Sequence, residues 1–261
     1  MTTNLSVSTL FDLSGRRALV TGASGGLGLH AAEVLAREGA SVALAARRTT
    51  EIRAAAADLV AEGYRACGVY LDVMKPETIP AAFDSVETEL GGPVDLLVNN
   101  AGILYVERFS SQSVGEMQRV IDTNLKGAFL VSQEAARRMP SHRNSCIVNI
   151  ASTAGLRAAG LMSSYGASKA GLIHLAQILA VELAAQGIRV NTICPGNFET
   201  DMHAAFAGRG IADGLLKRIP QRRFGVPRDL DGPLLLLASD AGRYMTGAVL
   251  TVDGGQCVSW M

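Results

Sequence analysis

The chain has 261 residues, of which 48% are hydrophobic, and its 24 basic and 24 acidic side chains give a formal net charge of zero. That composition can bury a large core, and the balanced charge gives no electrostatic reason to expect nucleic acid or an anionic membrane as a partner. No apolar run reaches the roughly 18 residues of a membrane span, and the opening MTTNLSVSTLFDL lacks a basic-then-apolar signal pattern.

In chain order, RRALVTG predicts a first strand, followed by a helix near residues 26–38. SVALAA predicts the second strand, with a helix over 49–62, and RACGVYLDV the third, with a helix over 77–90. VDLLVNNAG leads to a long helix within 114–139, and CIVNIAS to another over 164–186. IRVNTICPG opens an irregular stretch, a helix covers about 227–239, and AVLTVDGG closes the chain. The strand runs are rich in Val, Ile and Leu without polar alternation, as expected for parallel strands buried on both faces. Strand–helix alternation of this kind predicts an α/β doubly wound sheet with right-handed crossovers. There is no repeat, low-complexity tract or linker, so one domain spanning 1–261 is expected. Cys67, Cys146, Cys194 and Cys257 are scattered without metal-ligand spacing, which points to reduced thiols in the cytoplasm and no metal site.

Ligands of such sheets bind beyond the carboxyl ends of the strands. Those ends read TGASGGLG, ARR, LDV, NNAG, IAS and CPG, so small and polar residues collect where a ligand would lie. In TGASGGLG, Gly22, Gly26 and Gly28 are spaced G-x-x-x-G-x-G between a strand and a helix. The helix N-terminus offers free N–H groups and the positive end of a dipole, both suited to a pyrophosphate. Gly22 would allow the tight turn, Gly26 the approach of backbone to phosphate, and Gly28 close packing of the helix on its strand. A glycine-rich turn with no ligand is the competing reading, and its place after the first strand of an alternating fold argues against it. Further on, SSYGASKAG sets Tyr165 four residues before Lys169. The pair is either a helix start with one amphipathic and one solvated residue, or a phenol tuned by a cation.

The glycine spacing, NNAG at 99–102, Asn124, Ser152, Tyr165 with Lys169, and PG at 195–196 form an ordered set that resembles the short-chain dehydrogenase/reductase family. The resemblance runs from about Phe11 to the end of the chain. It implies a single Rossmann-like domain with seven parallel strands, assembled as a homotetramer or dimer, and a hydride-transfer enzyme acting on a small ketone or alcohol. The residues matching Tyr165 and Lys169 carry the acid–base step and also contact the cofactor, the lysine ammonium lying near the nicotinamide ribose. Four residues apart on a helix, they share a face, and a nearby cation favours the phenolate and lowers its pKa from about 10. Ser152 would donate a hydrogen bond to the substrate oxygen. Asn124 matches the residue that holds a water beside the lysine. Taken alone, Ser152 reads as a cap and Asn124 as an exposed helix residue; the steps from Ser152 to Tyr165 and on to Lys169 match the family without departure.

The resemblance also carries the cofactor contacts. Ser24 and Leu27 join the glycines of the turn, Asp72 matches the residue that bonds the adenine edge, and Val73 follows it. Asn99, Ala101 and Gly102 match the wall beside the adenosine. Pro195, Gly196, Phe198 and Thr200 lie by the nicotinamide, with Thr200 as the hydroxyl set against the carboxamide and Phe198 departing from the usual β-branched residue. A carboxylate at the end of the second strand selects NAD, and an arginine there accommodates the 2′-phosphate of NADP. Here Ala46 stands in the carboxylate position and Arg47 follows, which favours NADP(H) over NAD(H). Gly25 replaces the second basic anchor found in many NADP-using relatives.

The segment 197–223 is expected to form a lid over the substrate. Phe198, Met202, Phe206, Leu215 and Leu216, with Leu104, Tyr105, Leu156 and Met162, suggest an apolar cleft without a charged anchor, fitting a neutral or extended ketone better than a small keto acid. The 3-oxoacyl-carrier-protein reductases are closest in pattern, but of the two basic residues that dock their acidic carrier this chain keeps Arg143 and has Gln186 at the other position. A broad carbonyl reductase or alcohol dehydrogenase is the preferred reading. A redox sensor that binds dinucleotide without turnover is the alternative of another class, and it would have no need of Tyr165 with Lys169.

Overall fold

Seven apolar runs form the strands of one parallel sheet: β1 Arg17–Thr21, β2 Ser41–Ala46, β3 Ala66–Tyr70, β4 Leu96–Asn99, β5 Ser145–Ile150, β6 Ile188–Pro195 and β7 Val249–Val252. The structure, a computed structural model, describes residues 7–141, 144–200 and 212–259. The strand order is β3-β2-β1-β4-β5-β6-β7, with Val20 opposite both Leu44 of β2 and Val98 of β4. The sheet is therefore wound in both directions from β1, and the carboxyl ends of β1 and β4 flank the reversal. A cleft opens at that point because the connections on either side leave in opposite directions.

Alternate residues of each strand bury on opposite faces. Ala18, Val20, Val42, Leu44, Leu96, Val98, Cys146 and Val148 face one core. Leu19, Ala43, Ala45, Leu97 and Ile147 face the other. Because both faces are covered, the strands need no polar alternation. The first core is closed by α1 (Gly26–Arg37), α2 (Thr49–Ala61) and the helix Asp231–Ala238, through Leu35, Ile52 and Leu237. The second is closed by α3 (Thr78–Leu90), α5 (Ala128–Arg138) and α6 (Ser163–Leu183), through Phe83, Val131 and Ala176.

Two elements depart from the sequence expectation. The long helix within 114–139 is α4 (Val114–Ile121) and α5 joined by a π-helical turn over Asp122–Gly127. Within that turn Asn124 is fully buried, and a Cβ on Gly127 would lie 2.8 Å from the Cβ of Val73. Widened turns of this kind recur at functional sites. Second, the stretch Ser163–Gln186 has the length and mean hydropathy, 1.2, of a membrane span, although no such run was expected. It packs on β5 and β6 with Ser164, Ser168 and Lys169 buried, so its apolar character serves the interior of this fold.

Candidate active site

The glycine turn is shaped by contacts a side chain would block. Gly22 has φ +67°, and a Cβ there would lie 2.8 Å from the Cα of Ala101. At Gly28 a Cβ would lie 2.4 Å from the Asn100 amide nitrogen and 2.5 Å from the Gly22 carbonyl oxygen, so the helix can approach the strand only without one. Gly26, φ +55°, meets nothing within 4 Å. No neighbour explains its missing side chain, and the space in front of it is open. The N-terminus of α1 has no side-chain cap and no acidic residue in its first turn. Its N–H groups are thus available to an anion, and these features fit a dinucleotide pyrophosphate.

A cleft of about 400 Å³ runs from this turn past the ends of β2 and β3, lined by Ser24, Leu27, Ala46, Arg47, Asp72 and Val73, among others. Arg47 is exposed and makes no ion pair or side-chain hydrogen bond among the described residues. Its neighbour Arg48 is held: its guanidinium donates to Ser24 Oγ at 2.8 and 3.0 Å and to the Ser24 carbonyl at 3.2 Å. Arg48 thus ties the end of β2 to the glycine turn, a role not anticipated from the sequence. Buried Asp72 accepts from Met74 N–H through one carboxylate oxygen.

At the end of β4, Asn99 departs from the place expected for it beside the adenosine. Asn99 is turned into the interior, where its amide donates to Ser132 Oγ (2.8 Å), Asn149 Oδ1 (3.2 Å) and the Ala128 carbonyl (3.3 Å). Its side chain therefore holds α5 to the sheet, and Asn100 lines the cleft with Ala101 and Gly102. The Asn100 amide donates to the carbonyls of Thr21 and Gly22. Thr21 Oγ1 accepts from the N–H groups of Asn100 and Ala101, both at 3.1 Å, which joins β1 to β4 beneath the reversal point. Strand alternation decides which asparagine faces in, and NNAG alone does not reveal its phase.

Leu27, Asn100, Gly102 and Thr200 border both this cleft and a second one of about 720 Å³. The second holds Ser152, Tyr165 and Lys169, together with Pro195, Gly196 and Phe198. Ser152 Oγ accepts from Ala154 N–H at 3.1 Å, which fixes the oxygen and leaves its proton to donate. Lys169 is buried, donates to the Ile150 carbonyl at 2.8 Å, and lies 5.9 Å from the centre of the Tyr165 ring. Burial draws its pKa down to about 8. The Tyr165 phenol departs from expectation. Burial raises its pKa, outweighing the hydrogen bond from Ser152 that favours the phenolate. In the protein alone the lysine's hydrogen bond goes to the Ile150 carbonyl, and desolvation dominates the phenol.

Asn124 joins the group from the π turn. Its amide accepts from Ile103 N–H at 2.8 Å and donates to the Ile103 carbonyl (2.9 Å) and Ser168 Oγ (3.1 Å). A Cβ on Gly102 would meet Asn124 Oδ1 at 3.2 Å and Lys169 Nζ at 3.4 Å, so Gly102 lets these two groups close in on one another. Phe198 is buried, its ring packed over Gly225, where a Cβ would lie 2.7 Å away. Its side chain thus packs into the core while bordering the second cleft.

Of the residues expected at the substrate, Leu104, Met162, Leu215 and Phe198 line the second cleft, whereas Tyr105, Leu156 and Leu216 are not on its wall. Met202, Phe206 and Arg143 lie outside the described residues, and Gln186 is exposed at the end of α6. The expectation of a cleft without charged anchors is overturned. Arg157 and Arg218 both line it, the first from the turn after β5 and the second from the helix Ala212–Arg218. No periodicity or motif marks either residue in the sequence.

Residues 22–256 match the family described as enoyl-(acyl carrier protein) reductase. The chain is 38% identical over 244 residues to the 3-oxoacyl-[acyl-carrier-protein] reductase of Escherichia coli (strain K12), covering 94% of this chain and 98% of that protein. It superposes on a short-chain type dehydrogenase/reductase from Mycobacterium marinum with a TM-score of 0.90 at 39% identity, covering 96% and 99% of the two chains. Against a gluconate 5-dehydrogenase from Burkholderia cenocepacia J2315 in complex with NADP and tartrate, the TM-score is 0.93 at 33% identity, covering 97% and 100%.

Proposed function

The chain belongs to the short-chain dehydrogenase/reductase family and is an NAD(P)-dependent oxidoreductase of ketones and secondary alcohols; on that premise we propose that it prefers NADP(H) and that Tyr165 moves the proton. The observation that carries this reading is the meeting of two clefts, one at the uncapped α1 N-terminus and one holding Ser152, Tyr165 and Lys169. The first would hold the dinucleotide, with Gly26 and the α1 N–H groups on its pyrophosphate and Arg47 beside the adenosine ribose. When bound, the nicotinamide supplies or accepts the hydride. Ser152 donates to the substrate oxygen and takes up part of the charge that develops there. The Tyr165 phenol protonates that oxygen in reduction and takes the proton back in oxidation. Lys169 and Asn124 position the site behind the phenol. Absorbance at the nicotinamide band, followed over a panel of ketones with both reduced cofactors, tests the reading; a panel without turnover would leave only the sensor.

NADP is supported by Arg47, which makes no ion pair among the described residues, by Ala46 in the carboxylate position, and by the NADP in the gluconate 5-dehydrogenase neighbour. Reduction of a 3-oxoacyl carrier protein is the second reading, favoured by the Escherichia coli relative. The neutral, exposed Gln186 in one of the two carrier-docking positions weakens it.

Lys169 gives this reading a pH dependence. Its pKa of about 8 means that the ammonium gives up its proton as the solution turns mildly alkaline. NADPH affinity, read from cofactor fluorescence, should therefore fall as the pH rises through that value, because a charged donor to the cofactor is lost. The Lys169→Met variant should bind more weakly and show no such limb. A wild-type affinity that stays level across the same range would remove Lys169 from the cofactor site.

Assembly follows from the helix faces that the sheet does not cover. Val114 (77% exposed) and Met117 on α4, Phe129 on α5, and Ile178 and Val181 (81% exposed) on α6 are apolar residues turned outward. We propose that these helices bury against a second copy, giving a homodimer or homotetramer. Sedimentation at micromolar concentration should show an oligomer, and a stable monomer would refute this.

A further inference from the structure

Among the described residues, the second cleft has a one-sided charge. Its cationic lining side chains are Arg157, Lys169 and Arg218, and no described aspartate or glutamate lines it. The whole chain balances 24 basic against 24 acidic residues, so this local excess comes from placement and not from composition. Lys169 is engaged with the Ile150 carbonyl. Arg157 and Arg218 make no ion pair or side-chain hydrogen bond among the described residues. Neighbouring arginines do: Arg223 holds Asp229, and Arg222 donates to the Lys217 carbonyl.

The wall near Arg157 is built by the C-terminal turn. Arg157 is close enough to Cys257 for its charge to oppose the rise that burial imposes on that thiol. Asp253, the nearest carboxylate on this turn, accepts from the N–H groups of Gly255 (2.9 Å) and Cys257 (2.6 Å). Gln256 Oε1 accepts from Asn197 Nδ2 at 2.9 Å, which leaves the Gln256 amide N–H groups without a protein partner among the described residues. Much of the remaining lining is apolar, with Leu104, Val106, Leu161, Met162 and Leu215. A substrate matching this lining carries a hydrocarbon part and an anionic part besides its carbonyl.

We propose that Arg157 and Arg218 form a carboxylate clamp, and that the enzyme acts on oxo acids or hydroxy acids carrying an apolar chain. The proposal rests on the hydride-transfer reading of this cleft and narrows its substrate class. A guanidinium presents parallel N–H donors at the spacing of the two carboxylate oxygens, which a lysine cannot do. A cleft with one sign of charge also concentrates anions before they dock. Both arginines are exposed, so solvent and salt weaken the attraction, and the effect should shrink as ionic strength rises.

The test compares levulinate and its two next higher homologues with their methyl esters as NADPH-dependent substrates. A compound that is not reduced is read as an inhibitor of the reduction of a neutral ketone. For wild type, at least one acid should exceed its ester in kcat/KM, or in inhibition, by about tenfold or more. Arg157→Ala and Arg218→Ala should each lower that acid-to-ester ratio by about tenfold, and Arg157→Lys should keep part of it. Retention of the ester reaction in the variants would show that they fold. Acids that act no better than esters in wild type, a ratio unmoved in both alanine variants, or a preference for a neutral acetoacetyl thioester over every acid would overturn the clamp while leaving hydride transfer intact. Failure of every ketone, acid and ester to consume NADPH would instead overturn the underlying reading and the clamp with it.

Discussion

Tyr165→Phe is expected to lower kcat for ketone reduction by about 10²- to 10⁴-fold, the usual contribution of a positioned general acid. The ring keeps its packing and only the hydroxyl is lost, so NADPH affinity should hold while the proton transfer fails. The phenol's environment sets the direction of the pH effect. Burial raises its pKa above the ordinary value of 10.0, which keeps the proton on the oxygen at neutral pH, as reduction requires. Alcohol oxidation needs the phenolate and should therefore speed up as the pH rises, with the limb missing in Tyr165→Phe. Ser152→Ala should also slow the reaction, because its fixed oxygen, held by Ala154 N–H, aims a donor at the developing charge. A Tyr165→Phe enzyme with wild-type kcat would show that the proton comes from elsewhere.

The second large effect concerns cofactor choice. Arg47→Ala should weaken NADPH while leaving NADH nearly untouched, since NADH has no 2′-phosphate to contact. A charge-assisted hydrogen bond contributes about 1.5–3 kcal/mol, and each 1.4 kcal/mol is about tenfold in affinity. The NADPH-to-NADH ratio of kcat/KM should thus fall by roughly ten- to a hundredfold. Arg48 is a poor substitute because its guanidinium is already committed to Ser24. Arg48→Ala should instead loosen the glycine turn and affect both cofactors alike. Asp placed at Ala46 should shift the ratio further, by offering NADH a ribose partner and repelling the phosphate. A wild type that prefers NADH, or an Arg47→Ala ratio equal to wild type, would sink the assignment.

Much of this was legible along the chain because the physics is local. Short runs rich in Val, Ile and Leu between turn residues fit strands covered on both faces, and their alternation with helices points to a parallel wound sheet. Gly22, Gly26 and Gly28 mark a turn whose steric needs act within a few residues, and Tyr165 and Lys169 share a helix face by spacing alone. What depends on residues distant in sequence was decided only when the chain folded. Which asparagine of NNAG enters the cleft follows from the phase of β4 against its neighbours, so Asn99 went to Ser132 and Asn100 to the glycine turn. The π turn that buries Asn124 places its amide against Ile103 and Ser168, partners from two other segments. The Tyr165 pKa rises because desolvation is a property of the whole surround, while the lysine spacing reports one neighbour. Arg157 comes from the turn after β5 and Arg218 from the helix Ala212–Arg218 after β6, and only the folding of the chain brings both charges to one cleft.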